Sequence, residues 1–126
     1  MKYVIEKSSG EMLYAFEAAD NVVIAEGGMV ADRFSASDIR PETHEIISPP
    51  IPCPSKWGRE YRWAGSKWLA GSARKGRIVE RLTAIDAASI RPARAIAVGL
   101  GTDDDIARLD SLETEAAALR DELKTL

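Results

Sequence analysis

The chain has 126 residues, 45 % of them hydrophobic and 29 % charged. That balance suits one soluble domain, or one small domain with an appendage, and excludes a disordered or fibrous chain. No run approaches the roughly 18 apolar residues of a membrane span, and the single cysteine, Cys53, leaves no partner for an internal disulfide.

The net charge of −3 conceals an asymmetry. The balance is −5 over residues 1–55, +7 over 56–94 and −5 over 95–126. An acidic-basic-acidic chain either neutralises itself on folding or presents its middle to an acidic partner.

From the N-terminus, Tyr3-Val4-Ile5 is aromatic and β-branched and reads as a strand. The first twenty residues carry acids and no continuous apolar core, so a secretion signal is not expected there. Lys7-Ser8-Ser9-Gly10-Glu11 is a turn cluster. Met12-Leu13-Tyr14-Ala15-Phe16 then alternates, which places Met12, Tyr14 and Phe16 on one face of a second strand. Val22-Val23-Ile24-Ala25 predicts a short strand ending at Gly27-Gly28, and Glu45-Ile46-Ile47 another. Ser48-Pro49-Pro50-Ile51-Pro52-Cys53-Pro54 forbids helix and central strand and favours an extended crossing.

The stretch Tyr61-Arg62-Trp63-Ala64-Gly65-Ser66-Lys67-Trp68 holds three of the eight aromatic residues. A two-residue turn at Ala64-Gly65 predicts Trp63 opposite Ser66 and Tyr61 opposite Trp68. Tyr61, Trp63 and Trp68 then share one face, with Arg62 and Lys67 on the other. Burying an aromatic is worth roughly 1.5–3 kcal/mol and an exposed charge pair under about 1, so the aromatic face is expected inside. Alanine is a poor first turn residue, because a primed turn asks for positive φ there. A type I turn with a bulge at Gly65 would shift the register by one.

Beyond Ser72 the period changes. Ile78, Leu82 and Ile85 fall at helical spacing, with Pro92 expected to kink or restart the helix and Gly99 and Gly101 to end it. Thr102-Asp103-Asp104-Asp105 is a helix start, with a threonine cap and acids in the first turn. Leu109, Leu112, Ala116, Leu119, Leu123 and Leu126 follow in 3-4 alternation, a coiled-coil-like seam. The expected fold class is α+β: a small antiparallel β region over 1–70, with the proline crossing at 48–54 and the tryptophan hairpin at 60–69, then an antiparallel helical hairpin over 71–126. Two helices alone bury little surface, so the hairpin must pack on the β part, self-associate as a homo-oligomer, or dock on a partner. Ile78, Leu82, Ile85, Leu109, Leu112, Leu119 and Leu123 are the candidate partner-binding residues.

Catalytic signals are weak. His44 is the only histidine, Cys53 lacks a second cysteine or an activating base in sequence, and Asp103-Asp104-Asp105 lacks the spacing of a calcium loop. Gly99-Leu100-Gly101 lacks the strand and third glycine of a dinucleotide fingerprint. The expectation is a non-enzymatic protein without cofactor or metal. The alternative is a small nucleic-acid-binding regulator using the basic 56–81 segment. There Arg59, Arg62, Lys67, Arg74, Lys75, Arg77 and Arg81 accompany three tryptophans, the residue types a single-strand binder needs. A third option is a carbohydrate- or surface-binding platform on Trp57, Trp63 or Trp68.

Residues 57–126 resemble small tail proteins of tailed bacteriophages, including tail fibre assembly proteins. Those carry a W-x-W-D-G-x-x-W-type hairpin leading into a long helix, a glycine and a Leu/Ala/Glu-rich second helix. Tyr61 to Trp68 matches the hairpin, with Ala64 where the pattern has aspartate. Arg81-Leu82-Thr83-Ala84-Ile85-Asp86 and Gly101-Thr102-Asp103-Asp104-Asp105-Ile106-Ala107-Arg108-Leu109 match the helices. Gly10 to Ala15 and Pro41 to His44 match more loosely. The resemblance implies a protein that helps a tail fibre or tail-tip protein fold, attach or assemble in the host cytoplasm, and that in some cases stays in the virion tail.

Overall fold

The structure is a computed structural model describing residues 1–126. It is α+β, with small antiparallel sheets followed by two helices that form a hairpin. Two compact units divide after Arg74: residues 1–74 and residues 75–126. No helix is long and apolar enough to cross a membrane.

The first unit is built on β1 (Lys2–Glu6), the central strand of a sheet ordered β2-β1-β6, with β2 at Met12–Phe16 and β6 at His44–Ile47. Its Tyr3, Val4 and Ile5 are all buried, so both faces of the strand are covered. On one face Val4 packs with Phe16, Met29 and Ile39. On the other, Tyr3, Ile5 and Met12 pack with Ile47, Cys53 and Trp68.

The alternation expected along β2 breaks at Leu13. Val4 pairs with Tyr14 but Ile5 pairs with Met12, leaving Leu13 as an extra residue in the ladder. A bulge of this kind resets which face each side chain takes. Tyr14 and Phe16 therefore join the Val4 face, and Met12 joins the Tyr3 face, contrary to the period-two reading. The segment at Gly58-Arg59 docks beside the bulge, where the Arg59 N–H donates to the Met12 carbonyl at 2.6 Å.

A second sheet covers the Val4 face, ordered β3-β4-β5, with β3 at Val22–Ala25, β4 at Gly28–Ala31 and β5 at Ser35–Ala36. The Gly27-Gly28 pair does not terminate a lone strand. Glu26-Gly27 turns β3 back into β4, with Ala25 opposite Gly28, the first residue of β4. Gly28 has φ +113°, and a Cβ there would lie 2.6 Å from the Ala36 carbonyl oxygen, so only glycine fits the turn and the close approach of β5.

The tryptophan hairpin is β7 (Tyr61–Trp63) with β8 (Trp68–Ala70). Its register departs from both sequence expectations: Trp63 faces Trp68, Arg62 faces Leu69 and Tyr61 faces Ala70. Ala64 N–H bonds to the Lys67 carbonyl at 2.9 Å, so the turn lies at Gly65-Ser66. Gly65 takes φ +92° at the first turn position. Sliding the turn by one residue puts glycine where positive φ is required and spares Ala64 that penalty. The slide moves the pairing by two residues, which preserves the faces. Tyr61, Trp63 and Trp68 still share one side.

In the second unit, α1 (Arg74–Ala97, its first residue in the first unit) and α2 (Asp103–Lys124) pack through Ile85, Leu112 and Ala116, flanked by Leu82, Ala88 and Leu119. α1 does not restart at Pro92. The helix is continuous through it, and Pro92 is buried at the spacing of Ile78 and Ile85. Apolar burial at that position offsets the missing hydrogen bond to the preceding turn. Thr102 caps α2 with a reciprocal pair: its hydroxyl accepts from Asp105 N–H at 3.2 Å, and the Asp105 carboxylate accepts from Thr102 N–H at 3.0 Å.

Candidate interaction surfaces

The aromatic hairpin is committed to the first unit. Trp68 lies 5.1 Å from Tyr3 in an edge-to-face contact and 5.2 Å from Trp63, centroid to centroid. Its indole N–H donates to the Ile51 carbonyl at 2.8 Å, and the Tyr3 hydroxyl accepts from Cys53 N–H at 2.9 Å. The proline-rich crossing is thus pinned at two points across the Tyr3–Trp68 pair. Tyr61 receives the Arg74 guanidinium over its ring at 5.3 Å. Trp57 is the tryptophan left well exposed, at 62 %.

Two carboxylates that the sequence did not single out, Glu11 and Glu60, organise the polar side of this unit. They are 8 % and 3 % exposed. Glu11 Oε2 accepts both the backbone N–H and the hydroxyl of Ser72, each at 2.6 Å, and its Oε1 accepts from Arg59 Nη1 at 3.0 Å. Burial alone would raise the Glu11 pKa, but the hydrogen bonds from Ser72 and then Arg59 outweigh it and hold the carboxyl below its ordinary value. Glu60 accepts from Ser55 Oγ and from Arg74 Nη1, the latter at 2.5 Å. Arg59 also reaches Glu6 at 3.3 Å. Burial would lower its pKa, yet the bonds to Glu6 and Glu11 raise it.

The backbone at Arg59 is unusual. Its φ is +63°, the left-handed region, which costs a non-glycine residue roughly 1–2 kcal/mol. The conformation is held from several sides: its N–H bonds to Met12, its carbonyl accepts from Ala73 at 2.9 Å, and its side chain bridges two glutamates. A Cβ on Gly71 would fall 2.4 Å from the Arg59 carbonyl oxygen, so glycine is needed for that approach.

Four of the eight cations in the 56–81 segment are engaged by acids. Arg59 pairs with Glu6 and Glu11, Arg74 with Glu60, Arg77 with Glu80 and Arg81 with Glu115. The charge asymmetry along the sequence points toward such pairing, although it cannot name the partners. Arg62, Lys67 and Lys75 make no ion pair.

The candidate partner residues are largely turned on one another. Ile85 and Leu112 are core residues of the helix pair, with Leu82 and Leu119 packed against them. Ile78 is fully buried, and Leu109 and Leu123 are half-buried. The large apolar side chains left exposed in this unit are Val79, Ile90, Ile96, Val98, Leu100, Ile106 and, at the end of the leucine seam, Leu126. Periodicity identified the apolar stripe, but it could not say that two stripes meet each other.

His44 Nδ1 sits 2.7 Å from the Thr43 hydroxyl. The Cys53 thiol is pushed up in pKa, chiefly by burial, which favours its protonated form. No group of three His, Cys, Asp or Glu side chains is placed to hold a metal ion. A cleft of about 630 Å³ beside Phe16 and Phe34 is lined also by Glu17, Asp20, Asp32 and Arg33. Comparison with protein-family models, with curated proteins and with solved structures returned no match to this chain.

Proposed function

We propose that this chain is a non-enzymatic assembly protein of a bacteriophage tail, which helps a tail fibre or tail-tip protein fold or attach. The observation that carries the proposal is the helical unit. The two helices bury only five residues, Ile78, Ile85, Pro92, Leu112 and Ala116, while Val79 and Ile90 stand about half exposed along α1. A hairpin with so small a core and so much uncovered apolar surface is suited to docking. The hairpin-to-helix resemblance to tail proteins supplies the kind of partner. The ion pairing of Arg59, Arg74, Arg77 and Arg81 speaks against the nucleic-acid alternative, because paired guanidiniums are poorly available to phosphates.

Co-expression with a tail fibre protein encoded beside this chain, followed by affinity capture, tests the reading. A stoichiometric complex is the expected result. A chain that captures no fibre or tail-tip protein, yet is stable by itself at micromolar concentration, refutes it.

A further inference from the structure

We propose that the tip of the helical hairpin is a self-association surface, closed end to end by a second copy of the chain. Three observations lead to this conclusion, none of which depends on the tail reading.

The first is an apolar cap. Val98, Leu100 and Ile106 are 69 %, 76 % and 54 % exposed, and Ile96 beside them is partly so. All four lie within eleven residues around the connection between α1 and α2.

The second is rigidity. α1 ends in a Schellman motif: Gly99 takes φ +78°, its N–H reaches the Ile96 carbonyl at 3.1 Å, and Leu100 N–H reaches the Ala95 carbonyl at 2.8 Å. In that motif the side chain at the Leu100 position ordinarily packs back on the residue it bonds. That residue here is Ala95, too short to cover a leucine. The Thr102 capping box fixes the other side of the loop, and Gly101 sits so close to Ile96 that a Cβ would lie 2.5 Å from its Cγ1. The cap is therefore held outward by a fixed backbone rather than carried on a loose loop.

The third is charge. Arg94 lies in the last turn of α1, and Asp103 and Asp104 lie in the first turn of α2. All three are exposed and make no ion pair, whereas Asp105 is used by the cap. One side of the tip is thus basic and the other acidic. A two-fold axis perpendicular to the plane of the helices sets the α1 end of one copy against the α2 start of the other. Both charge pairs are then satisfied, the two apolar caps meet at the centre, and opposite helix-dipole ends face each other. The alternative two-fold, α1 on α1, sets like charges together and is disfavoured. A cap of four side chains falls below the ~1,200 Å² of a stable interface, so the dimer belongs to the weak, reversible class.

Sedimentation equilibrium of the full chain, up to about 0.5 mM, tests the proposal. The wild type is expected to associate reversibly, and Leu100→Glu to weaken association at least about tenfold with an unchanged circular dichroism spectrum. Arg94→Glu and Asp104→Arg should each weaken it alone. An equimolar mixture of the two should regain association, because each copy then meets its opposite. A wild type that stays monomeric throughout overturns the proposal. So does association that survives Leu100→Glu, or a mixture that fails to regain what the single variants lose.

Discussion

Replacing Glu11 by glutamine is the most informative single change in the first unit. The side chain keeps its shape, and only the second acceptor oxygen and the charge are lost. If the amide oxygen stays on Ser72, where it serves two donors at 2.6 Å, the amide N–H groups face the Arg59 guanidinium, donor against donor. One charge-assisted hydrogen bond is lost, a class worth roughly 1.5–3 kcal/mol. Arg59 retains Glu6, and its side chain is 44 % exposed, so water repairs part of the deficit. The lower half of that range, about 2 kcal/mol, is the expected cost. In the opposite orientation the Ser72 backbone N–H loses its acceptor, while the Ser72 hydroxyl can rotate to accept from the amide, so one bond is again lost. For a unit of this size each kcal/mol moves the midpoint by about 4–8 °C, so Tm should fall by about 8–16 °C. All three tryptophans lie in residues 57–68, so thermal or urea unfolding followed by their fluorescence reports this unit specifically. Glu115→Gln, at the exposed Arg81 pair, is the control and should leave the signal nearly unchanged. An equal response of the two variants would show that Glu11 is no keystone.

Other expectations extend the same physics. The Glu6 carboxyl is held low mainly by the hydroxyls of Ser8 and Ser9, and Glu11 by Ser72 and Arg59 against the opposing effect of burial. A depressed folded pKa contributes stability that is fully present above the ordinary value of 4.5 and is lost as pH falls through the folded value. The stability gap between wild type and Glu11→Gln should therefore narrow below about pH 4.5; a gap that widens in acid would contradict the assignment. At Arg59, alanine keeps the strained φ and loses the ion pairs, whereas glycine relieves the strain. Arg59→Gly should be the more stable of the two by about 1 kcal/mol in urea titration, and the reverse order would mean the left-handed backbone carries no strain. Gly76 is exposed inside α1 and a Cβ there meets nothing, so Gly76→Ala should stabilise the helix by about 0.5–1 kcal/mol; a lower melting point by circular dichroism would refute this. Trp68→Ala removes a ring packed on Tyr3 and Trp63 and should cost about 3–5 kcal/mol; survival of the fold at near wild-type stability would disprove its place in the core.

Much of the architecture was legible where local chemistry decides it. Thr102 and the three aspartates mark the start of α2 because a cap and a helix dipole act within one turn. Tyr61, Trp63 and Trp68 could be placed on one face because a two-residue shift in register does not change faces. What was not legible depends on distant chain. The Leu13 bulge, with Gly58-Arg59 docked beside it, moves Met12 to the opposite face, and no alternation rule foresees that. β4 and β5 were missed because Gly28 reads as a stop until Ala36 is seen to need its bare backbone. Glu11 and Glu60 look like surface acids in sequence. Their burial follows from Ser72 and Arg74, sixty-one and fourteen positions away.

Those separations also constrain the order in which the chain can mature as it is synthesised. β1, β2 and β6 are complete by residue 47, yet a sheet formed then holds Glu11 without Ser72 and without Arg59. Glu60 in turn waits for Arg74. A nascent chain stopped before residue 72 should therefore carry an uncompensated carboxylate at the edge of its forming core and remain open, vulnerable to proteases and to non-native association. The last few residues of the β unit act as its closing step, and they emerge immediately ahead of the helices.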